Sequence, residues 1–570
     1  MTLFGSILSQ VLERVLELPP ARTRKIEVTR NLRVPMRDGV VLLADRYAPE
    51  DGGAGDAAEL PTVLVRSPYG KGGLHSVMYG RPFAERGYEV VIQSCRGTEH
   101  SGGILDPFRQ EAADGLDTLV WLGRQPWAGD VVTTGPSYLG FSQWALASAL
   151  ASVPDDGSWE GIPRPRAMAV QLAPSDFREP VYEGGSFALH TFLRWTRQRW
   201  NFERDEPLHL VRAFGRVLLG VEGRAVGRAE ARLPLGDLDR WATGRRVDYW
   251  QGWLEHDAPH DPWWDSARHG DAVAGITAPV HLLGGRYDLF LPGLLRDYAR
   301  LRDAGRQPRL TIGPWAHEDP AWVPVATREA LAFFDTHAKG ERGRLRDTPV
   351  RVHVGGAEEW RDYPDFPPPG VRAERWHLHG GHLLAREAPG DSPPEGYRYD
   401  PADPTPSVGG PLFGRGAGPR DNRALEARPD VLTYTSEPLG RNLEVVGPVE
   451  AELWVRSSLA HADFFARLCD VEPSGRSVNV SDALLRVSPG RPEPEEDETL
   501  QLRIELWPTA HSFRRGHRLR VQISSGAHPR LARNTGSGEP LAAATKLVAA
   551  AQQVFHDPLH PSAVVLSVLA

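Results

Sequence analysis

At 570 residues the chain exceeds the roughly 250–300 residues at which a single hydrophobic core stops growing, so two or three domains are expected. A net charge of −8, without a long basic run, is an ordinary acidic surface and argues against nucleic acid as a partner. Only Cys95 and Cys469 are present, which leaves no disulfide framework and no cysteine zinc site; a reducing, cytoplasmic setting is expected, with no metal and no cofactor.

Taken from the N-terminus, residues 1–18 alternate apolar and polar groups at helical spacing, with Glu13, Arg14 and Glu17 breaking the apolar run. They read as an amphipathic helix packed on the body. No stretch of about 18 apolar residues occurs, so no membrane span is expected. Val28–Tyr47 alternates around Met36-Arg-Asp-Gly39, a hairpin signal. Two buried-strand runs follow, Pro61–Arg66 and Tyr88–Gln93, with helical pattern between them at Met78–Arg86. Helical periodicity returns at Gln110–Arg124, then a strand-like run ends at Gly135 and an Ala-rich helix begins. Ala167–Leu172, Ala278–Gly284 and Arg309–Gly313 are further strands. Strands alternating with helices predict a parallel α/β sheet.

Residues 175–268 interrupt that alternation. They are rich in Arg and Trp, helical in pattern at Ser186–Phe202 and Leu208–Leu219, and read as an inserted helical cap. Beyond the helical run that ends near Lys339-Gly340, short β-rich runs dominate: Val350–Val354, Glu374–Leu378, Leu432–Thr435, Ala451–Ser457, Asp463–Val471, Leu500–Leu506 and Arg518–Ser524. An all-β sandwich is the expected architecture there. The expected division is an α/β domain at 1–174 and 269–346, the cap at 175–268, and the sandwich at 347–570.

The turn between Gly135 and the following helix carries the chemistry. In Gly135-Pro-Ser-Tyr-Leu-Gly140 a serine sits at a strand-to-helix break flanked by glycines, the setting of a nucleophile elbow. The second glycine falls three residues after Ser137 rather than two, so a turn whose glycines serve only packing remains the alternative. A serine hydroxyl needs a base, and the base needs an orienting carboxylate. In α/β-hydrolases these follow the serine in the order Asp or Glu, then His. Asp288 in Gly285-Arg-Tyr-Asp288 and His317 in Gly313-Pro-Trp-Ala-His317 both follow strand-like runs, where open sheets present catalytic groups. Each also has a plainer reading, Asp288 as a helix cap and His317 as a surface histidine. The backbone N–H of Tyr138 is one expected oxyanion donor, and the loop Ser67-Pro-Tyr-Gly-Lys71 offers the Tyr69 hydroxyl as another.

These segments, together with Val91-Ile-Gln-Ser-Cys-Arg-Gly97, Phe334-Asp335, 463–472 and 513–520, resemble the CocE/NonD hydrolases, related to the X-prolyl dipeptidyl-peptidases and α-amino acid ester hydrolases. The displaced second glycine is that family's own spacing. The resemblance implies Ser137 as nucleophile, His317 as base and Asp288 as orienter, with Tyr69 and Tyr138 forming the oxyanion hole. It implies an α/β-hydrolase domain, a helical cap and a jelly-roll domain. The family usually carries aspartate where Ser94 stands. Leu289, Phe290 and Leu291 occupy places where the α-amino acid ester hydrolases carry carboxylates for a substrate ammonium, so an apolar acyl pocket is expected. Phe290, Phe413 and the cap residues Trp195 and Trp200 are candidates to line it, while Trp250 and Trp253 share the alternative of simple packing. The expected activity is hydrolysis of a small-molecule carboxylic ester through an acyl-enzyme. Amide or X-prolyl peptide cleavage, acyl transfer and non-catalytic ligand binding are the alternatives. A homodimer is compatible with the sequence.

Overall fold

Two large β-sheets organise the computed structural model, which describes residues 3–50, 60–153, 161–202, 221–489, 494–495 and 497–569. The helix Leu208–Leu219 anticipated from periodicity lies outside the described residues. The first sheet is built from β1 (Ile26–Pro35), β2 (Val41–Pro49), β3 (Thr62–Ser67), β4 (Glu89–Ser94), β5 (Val131–Pro136) and β6 (Ala167–Gln171). A two-residue hairpin of β7 (Tyr182–Glu183) and β8 (Ser186–Phe187) stands apart in the cap. The sheet then resumes with β9 (Val280–Tyr287), β10 (Arg309–Ala316), β11 (Val350–Val354) and β12 (Glu359–Tyr363). Its order is β1-β2-β4-β3-β5-β6-β9-β10-β11-β12, with parallel pairing from β4 to β11 and antiparallel strands at both edges.

Every residue of β3, β4 and β6 is buried, because helices cover both faces of the central parallel strands. The helices Glu111–Leu122 and Tyr138–Ala151 pack on each other and on the sheet. Their apolar side chains divide between the clusters on the two sides, with Leu116, Leu119 and Leu146 in one and Leu139, Phe141 and Ala145 in the other. The N-terminal helix, Leu3–Val15, is docked on this domain: Ser9 Oγ donates to the Glu85 carboxylate at 2.6 Å, and Arg24 reaches Glu13 at 2.9 Å.

One strand belongs to a different sheet from the one anticipated. Val350–Val354, expected to open the β-sandwich, pairs in parallel with β10, and β12 then closes the edge of the first sheet. The Val-Arg-Val-His-Val alternation fixes a half-buried strand but carries no record of which sheet receives it. The first sheet therefore runs to Tyr363. Eleven strands from Val371 to Leu569 form the second sheet system, which packs as a β-sandwich.

Between β6 and β9 the chain forms the cap, including the helices Leu189–Phe202, Val221–Glu230 and Asp248–Glu255. The cap touches the sandwich as well as the sheet. Arg486 N–H donates to Gly184 O at 2.8 Å, His190 N–H to Pro529 O at 3.0 Å, and Ala532 N–H to Phe187 O at 2.8 Å.

Candidate active site

Three ends of the first sheet meet at one point. β5 delivers Ser137, the residue before the helix Tyr138–Ala151, with φ of 55° and ψ of −125°, a conformation that is strained for a side-chain-bearing residue. The flanking glycines make it sterically feasible. A Cβ on Gly135, whose φ is +145°, would lie 2.5 Å from Leu139 Cβ, and one on Gly140 would lie 2.5 Å from Ala173 Cβ. Ser137 N–H is held by Gln171 O of β6 at 2.9 Å. β9 ends just before Asp288, and β10 just before His317.

These three side chains form a continuous hydrogen-bonded line. His317 Nε2 lies 3.1 Å from Ser137 Oγ, and His317 Nδ1 lies 2.6 Å from Asp288 Oδ2. Asp288 is fully buried, and its second oxygen accepts the Phe290 N–H at 2.9 Å. A carboxylate held from both oxygens fixes the ring so that Nδ1 carries the proton and Nε2 presents a lone pair to the serine.

Tyr69, on the loop after β3, brings its hydroxyl to the same point. It accepts a hydrogen bond from Trp195 Nε1 at 2.9 Å and also pairs with Ser137. Burial pushes this hydroxyl up to about 12, so it stays a protonated donor. The loop is fixed from several sides. Ser67 Oγ accepts the Tyr69 N–H at 3.1 Å, and Arg199 donates to Pro68 O at 2.7 Å. Glu99 accepts the Lys71 N–H at 2.5 Å and the Ser94 hydroxyl at 3.1 Å. Ser94 thus hands its hydrogen bond to a carboxylate five residues on.

The Tyr138 side chain makes contacts that the sequence did not announce. It turns inward, donating to Glu111 at 2.8 Å and accepting the Phe108 N–H at 3.1 Å. Glu111 pairs with Arg66 of β3 at 2.8 Å, both fully buried. The residue that follows the serine is therefore anchored to β3 and to the helix Glu111–Leu122, which holds its backbone N–H at the start of the helix Tyr138–Ala151. Nothing in the spacing of Arg66, Glu111 and Tyr138 announces that they meet.

A small cavity of about 20 Å³ lies against Ser137 and His317, room for about one water. Of the anticipated pocket residues, Trp195, Phe290 and Phe413 line it. The Phe290 ring stands edge-on to His317 at 5.0 Å, and Phe413, reaching in from the sandwich, tilts over the same imidazole at 5.9 Å. Trp200 does not line it; its ring lies under the Arg245 guanidinium at 4.1 Å. Five residues along a helix rotate a side chain by well over a quarter turn, so Trp195 and Trp200 leave from different faces. Trp250 and Trp253 are fully buried packing residues. Leu289 lines it as well, and Phe108, Phe177, Thr191 and Phe192, which were not anticipated, complete the wall. Phe192 and Trp195 stand one helical turn apart on one helix face, a signal that was available; Phe108 and Phe177 lie in irregular segments with none. Among the described residues, no carboxylate lines this cavity.

Comparison with known proteins identifies the family and the fold. Residues 38–319 match the X-Pro dipeptidyl-peptidase (S15 family) and residues 344–565 the X-Pro dipeptidyl-peptidase C-terminal non-catalytic domain. The chain is 33% identical to a cocaine esterase of Rhodococcus sp. (strain MB1 Bresler), over 95% of this chain and 98% of that one. In fold it is similar to an α-amino acid ester hydrolase, with a TM-score of 0.76 at 23% identity, covering 97% of this chain and 98% of the other. An aminopeptidase of a marine sediment Thaumarchaeota archaeon gives a TM-score of 0.75 at 21% identity, with the same coverage.

Proposed function

Because the chain belongs to the CocE/NonD family of serine hydrolases, with an S15-type catalytic domain and acting on esters, we propose that Ser137, His317 and Asp288 are its catalytic triad. The observation that carries this reading is the unbroken line from Ser137 Oγ through His317 to the buried Asp288, beside a cavity walled by aromatic rings. Ser137 Oγ attacks the ester carbonyl carbon while His317 Nε2 takes its proton. The carbonyl oxygen becomes an oxyanion that accepts hydrogen bonds from the Tyr69 hydroxyl and the Tyr138 N–H. Collapse breaks the bond to the alcohol, which leaves with the proton from His317. Water then attacks the acyl-serine along the same path, His317 taking and returning a proton, and the carboxylic acid departs. Asp288 keeps the imidazole oriented and stabilises its charged form.

A neutral acyl group suits this site better than an α-ammonium group. Leu289, Phe290 and Leu291 follow Asp288, and no unpaired carboxylate borders the cavity among the described residues. Hydrolysis of esters is therefore favoured over X-prolyl peptide cleavage. In this reading the catalytic unit comprises 1–174 and 269–346, with the cap at 175–268 and the sandwich domain at 347–570, whose first two strands complete the edge of the first sheet. A cytoplasmic setting fits Cys95 and Cys469, both buried free thiols.

Purified protein is assayed on p-nitrophenyl acetate and on Gly-Pro-p-nitroanilide, with Ser137→Ala alongside and with a fluorophosphonate label. Ester turnover is expected to fall by about 10³-fold or more in the alanine variant, with loss of the label. Undiminished turnover in Ser137→Ala overturns the triad, and efficient anilide cleavage overturns the preference for esters.

A further inference from the structure

A void of about 20 Å³ at the serine is too small for any acyl or alcohol group of substance, yet a much larger one adjoins it. This second chamber, of about 680 Å³, lies where the cap hairpin, the helix Leu291–Asp303 and the sandwich meet. Its size is that of a drug-sized ligand site. It shares Thr191, Leu289 and Phe290 with the cavity at Ser137, so these three residues are the partition between the two.

The chemistry of the walls selects an occupant. Leu295, Leu484, Leu506, Trp507 and Pro411 give an apolar lining. Most of the charged groups are already paired: Glu179 with Arg296, Glu183 with Arg530, Glu450 with Arg503, and Arg302 with Asp303 and Asp365, while Glu505 is solvent-exposed. Arg178 donates to Asp257 O and lies over the Tyr182 ring. An anionic ligand entering here breaks an existing pair, and a cationic one meets only the solvent-exposed Glu505 without doing so, whereas an uncharged apolar chain displaces only water from apolar wall.

We propose that this chamber binds a long, uncharged apolar chain of the ester substrate, which passes between Thr191, Leu289 and Phe290 while the ester carbonyl sits at Ser137. The inference rests on the triad reading above and adds the substrate class: esters with an extended hydrocarbon chain on one side. Each buried methylene favours binding by about fourfold, so preference rises steadily with chain length until the chamber is full.

Two wall residues distant from the triad permit a test by filling. Ala299→Trp intrudes from the helix Leu291–Asp303 and Leu485→Trp from the sandwich, so misfolding of one leaves the other. In the full-length wild type, kcat/KM for p-nitrophenyl octanoate is expected to exceed that for the acetate by about tenfold or more. In both filled variants that advantage is expected to vanish while acetate turnover is retained. Octyl acetate carries the chain on the alcohol side, and loss in that arm or in the octanoate arm assigns the side. Equal turnover of long and short esters by the wild type, or an equal loss of both in the filled variants, overturns the proposal. Calorimetric binding of p-nitrophenyl octyl ether, which cannot be hydrolysed, separates the chamber from the triad. The ether is expected to bind the wild type and Ser137→Ala alike, and the filled variants about tenfold more weakly. Unchanged affinity in the filled variants refutes the chamber even if the triad is correct.

Discussion

Tyr69 concentrates the site's dependence on a single proton. Its hydroxyl accepts from Trp195, which leaves its own hydrogen for the oxyanion, and burial holds its pKa at about 12 instead of the usual 10. The neutral, donating form therefore persists to higher pH than in an exposed tyrosine. On this basis kcat for p-nitrophenyl acetate stays level through about pH 10, the range in which an ordinary tyrosine ionises. A descending limb near pH 10 in the wild type that disappears in Tyr69→Phe contradicts this. At neutral pH, Tyr69→Phe is expected to lower kcat by about 10²–10³-fold with little change in KM, since the donor acts on charge that develops only in the transition state. Glu99 acts through the same loop. Its carboxylate holds Lys71 N–H and Ser94, so Glu99→Ala should lower kcat by about tenfold, the worth of one charge-assisted hydrogen bond, while Glu99→Gln recovers part of the loss. A fall in melting temperature with unchanged kcat marks Glu99 as structural only. Ser137, Asp288 and His317 were readable as candidates because each sits beside a glycine-bearing strand end. The Glu99 contact was not, because it depends on a loop folding back on its own origin.

At the scale of elements, the cap begins where a helix of the first domain grips it. Asp297, on the helix Leu291–Asp303, accepts Ser175 N–H at 2.7 Å and Ser175 Oγ at 2.6 Å, and Arg300 approaches at 3.1 Å. Burial pushes this carboxyl up to about 6, against a value near 3.9 in an unfolded chain. The folded state thus binds the proton more tightly than the unfolded one. Its contribution to stability is fully present below about pH 4 and is lost as pH rises through about 6. Asp297→Asn, which cannot ionise, should gain stability relative to the wild type across that window, by an amount on the order of 3 kcal/mol. Denaturant unfolding of both proteins at intervals between these pH values measures the difference, and parallel pH profiles count against the assignment. The elements themselves were largely evident from periodicity, since alternating helices and buried strands leave a strong pattern. Which strands join which sheet was less so. The run Val350–Val354 shows the reason: its two-residue period is equally at home beside β10 or in the sandwich, and its place is decided by a partner on β10 that local pattern does not see.

For the whole molecule, the active site depends on all three parts staying in register. The sandwich supplies Phe413 and the cap supplies Trp195, while the first sheet supplies Ser137 and His317 of the proposed triad. A buried network ties the first two together. Arg530 pairs with Glu183 of the cap and with Asp482 of the sandwich; Asp482 in turn pairs with Arg467 at 2.9 Å. Arg467 also donates to Val408 O at 2.7 Å, at the root of the loop that carries Phe413. Removing one partner from such a network leaves buried charge uncompensated, which costs about 3–5 kcal/mol. Arg530→Ala is therefore expected to lower stability by that amount and to loosen both the β7–β8 hairpin and the loop around Phe413. Hydrogen exchange should then rise together at Tyr182–Phe187 and at Val408–Phe413 while β3 to β6 stay protected. Because Phe413 and Trp195 would shift with their anchors, ester turnover should fall even below the melting temperature of the variant, although no residue that touches the reacting atoms has changed. Exchange that rises only in the cap, with turnover intact, means that the sandwich holds its loop alone and that the network serves stability without positioning the site.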